Sequence, residues 1–218
     1  MDFRWDIIQE YMPFLLKGTL YTIGLSIAGI LIGTVLGLLI GLGKITKSKL
    51  LSIPLNCYIG FFRGTPLFVQ LLLIHFGVVP AITGETNVIL ATILALSLNS
   101  AAYIAEIFRA GIQSIDTGQM EGARSLGMSS AQAMRYVILP QAFKRMIPPL
   151  GNEFVVLIKE SSIAAVIAAP ELTYWGRAMA SQYFRVWEPY LASAFIYLIL
   201  TLSLSYLLNK MERRLDTK

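Results

Sequence analysis

Apolar residues dominate long stretches of this chain, and polar residues are concentrated between them. Five apolar stretches are long enough to cross a bilayer, because about 20 helical residues span a hydrocarbon core of about 30 Å. They lie near residues 19–43, 53–79, 88–108, 146–168 and 189–209. The pattern predicts an all-α membrane protein with five transmembrane helices, built as a single domain of residues 1–218.

The longest polar interval covers residues 110–145, between the third and fourth predicted spans. Asp116 or Thr117 would cap a short helix that runs through Leu126, because the side-chain oxygen of either residue accepts a hydrogen bond from a free backbone N–H group. Gly127 suits the left-handed residue that commonly ends a helix.

A second helix is predicted directly after this glycine. Ser129 and Gln132 have the spacing of a capping box, and Pro140 marks the point where the helix should stop. The whole interval is much longer than the usual connection between helices, so we expect it to have a function of its own.

Composition and charge define the class of protein and its orientation. Of the 218 residues, 56% are hydrophobic and 14% charged, and the mean hydropathy is +0.64. Lys and Arg are retained on the cytoplasmic side, and most basic residues flank one side of the predicted spans. The N-terminus is therefore predicted outside and the C-terminus in the cytoplasm. The net charge of +5 reflects this topology, and nucleic-acid binding is not expected.

Few residues offer covalent, metal or nucleotide chemistry. Cys57 is the only cysteine and His75 the only histidine, and both are predicted to be packing residues, Cys57 as a small buried one. Residues 41–44 resemble part of a phosphate-binding loop, but Leu38 and Ile45 stand where glycine and Ser or Thr are needed. Neither a metal site nor an ATP site is predicted in this chain.

Four glycines recur at four-residue spacing in the first predicted span. They are Gly29, Gly33, Gly37 and Gly41. This spacing aligns them on one helix face, where the absence of side chains allows another helix to approach closely.

The polar interval carries the motif of a known family. The pattern Glu-x-Ala-x3-Gly-x9-(Ile/Val)-x-Leu-Pro runs from Glu121 to Pro140. It resembles the cytoplasmic loop of binding-protein-dependent ABC importer permeases. Further segments resemble the polar amino-acid branch of that family, and they are residues 62–66 with Gln70, 101–106, 109–113 and 139–142. The resemblance covers about residues 15–210.

The resemblance implies the membrane-spanning subunit of an ATP-driven amino-acid importer in the bacterial inner membrane. The loop would dock into a separate ABC ATPase subunit, which binds ATP and Mg²⁺, and closure of the ATPases would rock the membrane helices. A second copy of this chain, or a similar permease, and an extracytoplasmic solute-binding protein complete the expected assembly. The loops around residues 83–85 and 171–188 are the expected landing surface for the solute-binding protein.

The first helix of the loop has the chemistry for such docking. An amphipathic helix can lay its apolar side chains into a groove of a partner. The residues expected to couple to the ATPase are Met120, Glu121, Gly122, Ala123, Leu126 and Gly127. The alternative is a loop that only packs against its own helix bundle.

Charged side chains in the fourth predicted span indicate the substrate site. Glu153 and Glu160 are seven residues apart, which places them on one helix face about 10 Å apart along the axis. A charge at this depth costs about 2.5–3.5 kcal/mol on insertion scales, so it is kept beside a partner or a water-lined cavity. Ser161 and Ser162 add hydroxyl groups next to Glu160.

Two other spans contribute to the predicted substrate site. Asn99 falls near the middle of the third span, where its amide is suited to the amino or carboxylate group of a substrate. Arg63 is either an anchor for the substrate carboxylate or a buried partner of one of the two glutamates, and we favour the structural role. Gly64 and Leu67 complete the set.

Two further features of the fourth span affect this site. Pro148 and Pro149 are expected to bend or interrupt the helix at its cytoplasmic end, as in spans that build binding sites. Lys159 points about 100° away from Glu160 on a helix and is expected to meet Glu106 or a symmetry mate.

The nature of the cargo and two other protein classes remain open. Two cavity glutamates without cationic neighbours favour a basic amino acid such as arginine, lysine or histidine, with glutamine or another polar amino acid as the rival. Alternatively, Glu160 pairs with a basic side chain and Glu153 is solvated. A proton-coupled secondary transporter would use the glutamates as proton carriers. An intramembrane enzyme would use them as paired carboxylates, but no motif supplies a nucleophile or a metal.

Overall fold

The structure is a computed structural model that describes residues 2–45 and 49–216. Every element assigned in these residues is helical. The helices are α1 (Trp5–Ile45), α2 (Lys49–Gly64), α3 (Leu67–Leu73), α4 (Val79–Thr83), α5 (Val88–Gln113), α6 (Thr117–Ser125), α7 (Ser130–Ala133), α8 (Leu139–Glu160), α9 (Leu172–Tyr183) and α10 (Trp187–Asp216). Two π-helical turns, Ile74–Val78 and Met134–Ile138, lead into α4 and α8, and a 3-10 helix, Ser161–Ile167, follows α8.

Three of the described helices, α1, α5 and α10, are long and apolar enough to cross a membrane unaided. The second predicted span is not one straight helix, because α2 and the segment Leu67–Thr83 are bent by 110° relative to each other. Pro66 lies in this break, where it lacks an N–H group and disfavours helical geometry for Thr65. The helix α8 carries five charged residues among its 22 and does not qualify alone. The described residues therefore contain three or four candidate spans.

The helices α1 and α5 pack against each other along most of their length. A Cβ atom added to Gly37 would lie 2.8 Å from Ile104 Cβ and 2.9 Å from the Ala101 carbonyl oxygen. A Cβ atom added to Gly33 would lie 3.0 Å from Ser100 Cβ. The other two glycines, Gly29 and Gly41, meet Leu96 and Phe108 in the same way. The predicted glycine face is confirmed, and it is covered by α5.

The predicted corner in the polar interval is also confirmed. The Asp116 side chain accepts a hydrogen bond from the Gly118 N–H at 2.8 Å and caps α6. Gly127 has the left-handed φ of 86° expected at the end of a helix. Ser129 and Gln132 make both hydrogen bonds of the capping box at the start of α7.

The prediction that Pro140 ends the second helix is wrong. Helix α7, the π turn Met134–Ile138 and α8 follow one another without a break, and Pro140 lies in the first turn of α8. The Leu139 N–H donates to the carbonyl of Met134, five residues earlier. The π turn changes the hydrogen-bond register ahead of the proline, which has no N–H group to donate. The other π turn, Ile74–Val78, precedes Pro80 in the same way.

The expected interruption of the fourth span lies elsewhere. Helix α8 is continuous through Pro148 and Pro149, and it changes to the 3-10 helix only after Glu160. The 3-10 helix ends at Ala168, whose φ of 61° is left-handed. Cys57 was also wrongly predicted, because it is exposed on α2.

We predict that Gly37→Ala lowers the free energy of unfolding by about 1–3 kcal/mol, the usual cost of inserting a methyl group into a packed contact. The change is measured as a lower apparent melting temperature in detergent. The control is Gly24→Ala in the same helix, where an added Cβ meets nothing within 4 Å. Equal melting temperatures for the two variants would contradict the close contact of α1 with α5.

Candidate functional site

The carboxyl group of Glu153 is buried in the helix bundle. Glu153 is 8% exposed and lies beside the Ser100 hydroxyl, which has no other hydrogen-bond partner among the described residues. Glu153 also interacts electrostatically with Glu160 on the same helix, as the seven-residue spacing predicts. In the described part of the chain, no basic side chain lies within 4.0 Å of either carboxylate. The two glutamates thus form an acidic pair in a mostly apolar surrounding.

Glu160 and Ser161 line a small cavity at the end of α8. Its other walls come from α3, α5 and the 3-10 helix, through Leu67, Leu71, Thr92, Ala95, Leu96, Ile163 and Ala164. The cavity has a volume of about 10 Å³, which holds about one water molecule. In this conformation the cavity is too small for an amino acid.

The two serines that follow Glu160 use their hydroxyl protons locally. Ser161 Oγ donates to the Ile158 carbonyl at 2.8 Å, and Ser162 Oγ donates to the Lys159 carbonyl at 2.6 Å. Ser161 is buried and lines the cavity, whereas Ser162 does not line it. Both hydroxyls therefore satisfy carbonyls at the end of α8, and their oxygens remain available as acceptors.

Asn99 lies on α5 at the break between α2 and α3. It is 4% exposed, and its amide nitrogen donates to the Phe62 carbonyl at 3.2 Å and to Gln70 Oε1 at 2.9 Å. Gly64, just before the break, has open space around it. The predicted site residues Asn99, Gly64 and Leu67 are thus brought together near the break, with Leu67 also reaching the cavity of Glu160.

Arg63 does not pair with Glu153 or Glu160, contrary to the structural role that we favoured from the sequence. It lies 3.7 Å from Glu106 Oε2 and stacks over the ring of Tyr103 at 5.3 Å. Arg63 lies in the C-terminal turn of α2, a helix that packs against α5. The arginine therefore reaches a carboxylate on the third predicted span, far along the chain from the two glutamates.

Glu106 binds three basic side chains from three helices. Lys44 Nζ of α1 lies 2.6 Å from Oε1, Arg109 of α5 donates to Oε2 at 2.8 and 2.9 Å, and Arg63 of α2 completes the cluster. Among the described residues, Lys159 is not an ion-pair partner of Glu106, and it interacts electrostatically with the adjacent Glu160. The alternative, that Lys159 meets a symmetry mate, stays a prediction. Lys44 also belongs to the phosphate-loop look-alike, which lies within helix α1.

The two faces of α6 have different surroundings. Ala123 is 6% exposed and Met120 packs against the core beneath it, so these two side chains are covered by their own bundle. Glu121 and Gly122 are exposed, and Leu126 is 83% exposed. The bundle therefore covers Met120 and Ala123, whereas Glu121, Gly122 and Leu126 remain exposed.

The expected landing surface at the other end of the bundle is only partly exposed. Glu171 and Glu188, at the two ends of this stretch, are 0% and 1% exposed. The Glu171 carboxylate accepts hydrogen bonds from the Tyr197 hydroxyl and from two backbone N–H groups at the start of α9, and burial raises its pKa despite these bonds. Phe184, by contrast, is 94% exposed. The exposed residues of this stretch are mixed, with Arg177, Ser181 and Gln182 polar and Phe184, Val186 and Trp187 apolar.

Comparison with known proteins places the chain in a family. The family model described as "Binding-protein-dependent transport system inner membrane component" matches residues 33–217. The chain therefore belongs to this family of transport-system membrane components.

Individual relatives agree with this assignment. The chain is 42% identical over 195 residues to a probable amino-acid ABC transporter permease protein, YckA, of Bacillus subtilis (strain 168), covering 89% of this chain and 86% of the relative. It is 38% identical to the glutamine transport system permease protein GlnP of Escherichia coli (strain K12), over 99% of both chains. A crystal structure of an amino acid ABC transporter with histidines matches with a TM-score of 0.93 and 45% identity, covering 98% of this chain and 100% of that one.

We predict that Glu106→Gln destabilises the fold by about 1.5–3 kcal/mol, the usual net contribution of a hydrogen bond to a charged group. Three basic side chains would lose their shared carboxylate, and Lys44 is only 15% exposed. The measurement is the apparent melting temperature in detergent, with the exposed Glu85→Gln as the matched control. If both variants melt together with the unmodified protein, the cluster does not hold α1, α2 and α5 together.

Proposed function

We propose that this chain is the membrane-spanning subunit of an ATP-driven importer of polar amino acids. The observation that carries the proposal is the exposed, capped corner of α6 and Gly127, in a chain whose only phosphate-loop look-alike is part of a helix. Family membership and the amino-acid permeases among the relatives support it. Hydrolysis of Mg-ATP therefore belongs to a separate ABC ATPase subunit.

The proposed topology has five spans with the N-terminus outside. The second span is the bent pair of α2 with α3 and α4, and the fourth is the C-terminal half of α8 with the 3-10 helix. Lys44, Arg109 and Arg145 lie at the α6 end of the bundle, and Gly18 packs against α9 at the other end. The positive-inside rule then puts α6 in the cytoplasm and the C-terminus on the same side.

The proposed assembly contains two membrane subunits, two ATPases and an external solute-binding protein. The second membrane subunit is another copy of this chain or a similar permease. The α6 surface with Glu121, Gly122, Leu126 and Gly127 is the part that meets the ATPase, while Met120 and Ala123 anchor α6 to its own bundle. Closure of the ATPases thereby moves the bundle through α6 and α8.

The proposed substrate pathway runs past Glu153 and Glu160. Their carboxylates have no ion-pair partner among the described residues, so a cationic cargo would supply the missing charge. A basic amino acid is therefore the proposed substrate, with glutamine as the rival. Because the cavity at Glu160 now holds only about one water, the site must widen in another conformation of the transport cycle.

The coupling role predicts a specific failure. Glu121→Ala removes an exposed carboxylate, and Gly127→Ala strains a residue with φ of 86°. In the reconstituted complex, we expect ATP-dependent uptake to fall about tenfold or more while membrane insertion persists and the ATPases still hydrolyse ATP, because a tenfold change needs only about 1.4 kcal/mol. The control is Lys144→Ala, which removes an exposed charge on α8. Normal uptake by both loop variants would rule out docking through this corner.

The proposed cargo makes a prediction about charge. Glu153→Gln and Glu160→Gln keep the side-chain volume but remove the negative charge. We expect each to weaken the apparent affinity for arginine about tenfold or more, which corresponds to about 1.4 kcal/mol. Uptake of glutamine, which carries no net charge, is the internal control and should change much less. Unchanged arginine affinity in both variants would remove the basis for a basic cargo.

A further inference from the structure

The break between α2 and α3 is closed by a buried glutamine. Gln70 is 1% exposed, and its Nε2 group lies 2.9 Å from the Phe62 carbonyl oxygen, 3.0 Å from the Thr65 carbonyl oxygen and 2.9 Å from Thr65 Oγ1. An amide has two N–H groups, so three oxygens share them. One side chain of α3 thus binds the last turn of α2 from across Pro66.

Asn99 joins this junction from α5. Its Nδ2 group donates to Gln70 Oε1 at 2.9 Å and to the Phe62 carbonyl at 3.2 Å. The Phe62 oxygen therefore accepts from both amides, which uses its two lone pairs. Both N–H groups of Asn99 are also used. The two amides connect three helices in a closed set of hydrogen bonds.

The membrane explains why the break needs such a device. A helix end leaves its last carbonyl groups without intrahelical donors, and Pro66 offers no N–H group to replace them. Water is absent from the hydrocarbon core, so each unsatisfied carbonyl costs several kcal/mol there. The amides of Gln70 and Asn99 supply the donors, and the chain can turn by 110° within the bundle.

The position of the break determines one wall of the cavity at Glu160. Leu67 and Leu71 of α3 line that cavity opposite Glu160 and Ser161, and Gln70 lies next to Leu71 on the same short helix. A shift of α3 relative to α5 would therefore change the shape of the cavity directly.

We infer that Asn99 and Gln70 are positioning residues, which hold the α2–α3 break against α5 and thereby set the wall of the substrate cavity. Asn99 acts through Gln70 and Phe62, because both of its N–H groups are already engaged. It is therefore not a ligand for the carboxylate of the cargo. We call the hydrogen bonds of Asn99 and Gln70 to each other and to the end of α2 the clamp. The link of the clamp to transport rests on the proposed function, but its hydrogen bonds lie within the chain.

The first test measures the clamp without transport. In a Cys57→Ser background, spin labels are placed at the exposed positions Ile53 of α2 and Leu73 of α3. The labelled chain is diluted with unlabelled chain in the assembled complex, so that distances within one chain dominate. We expect one narrow distance distribution, which broadens in Asn99→Ala and in Gln70→Ala.

Two further variants complete this measurement. The exposed amide change Asn209→Ala on α10 should leave the distribution narrow. If the alanine variants do not assemble, Gln70→Glu retains the volume and the acceptor for Asn99 but loses the donor to α2, and it should broaden the distribution in the same way. An unchanged distribution in the clamp variants that assemble would overturn the inference.

The second test separates a positioning residue from a ligand. We expect Asn99→Ala, Gln70→Ala and the double variant to raise the apparent KM for uptake by a similar factor, about tenfold (about 1.4 kcal/mol), since they break one unit. The order of preference among arginine, histidine and glutamine should stay the same. A changed preference in Asn99→Ala alone, or normal uptake despite a broadened distance, would overturn the positioning role. If the unmodified complex moves no amino acid, the proposed function fails, whereas the distance measurement still decides the clamp.

Discussion

The close contact between α1 and α5 is the constraint on which the rest of the structure depends. Four glycines remove the side chains of one helix along three turns, so that the backbone of α5 approaches it within van der Waals distance. In a bilayer, such contacts are a main source of helix association, because lipid tails are as apolar as the helix surfaces. This contact sets the position of α5 relative to α1, and α5 carries Asn99, Ser100 and Glu106. The hydrogen bonds of Asn99, the Ser100 hydroxyl beside Glu153 and the charge cluster at Glu106 therefore all depend on the packing of these two helices.

Several helices are interrupted or change their hydrogen-bond pattern, and at each such point specific groups of the chain bind the backbone. At the α2–α3 break, two amides replace the donors that Pro66 lacks. Before Pro80 and Pro140, a π turn shifts the hydrogen-bond register. After Glu160, serine hydroxyls donate to carbonyls in the last turn of α8. These devices let the chain place polar groups at membrane depth, which would otherwise be too costly.

Local patterns predicted much of the fold, and long-range contacts were the part that they missed. The caps at Asp116 and Ser129 and the turn at Gly127 were predictable, since each depends on residues within a few positions. Hydropathy predicted the apolar stretches but could not detect the 110° bend in the second one, because the chain is mainly apolar on both sides of it. The partner of Arg63 was missed for a similar reason: the packing of α2 against α5 brings that arginine to Glu106, and Glu106 is 43 positions away in the sequence. Gln70 belonged to a family motif, and its position four residues after Pro66 was the one local signal of its role.

The central claim is that this chain moves amino acids only when a separate ATPase drives it. The most direct measurement is uptake of radiolabelled arginine and glutamine into proteoliposomes that contain the chain alone, or the chain with its ATPase and solute-binding protein. We predict uptake only in the complete assembly with Mg-ATP, and no loss of uptake when a proton gradient is dissipated. Uptake by the chain alone, driven by an imposed pH gradient, would contradict it and would indicate a proton-coupled carrier.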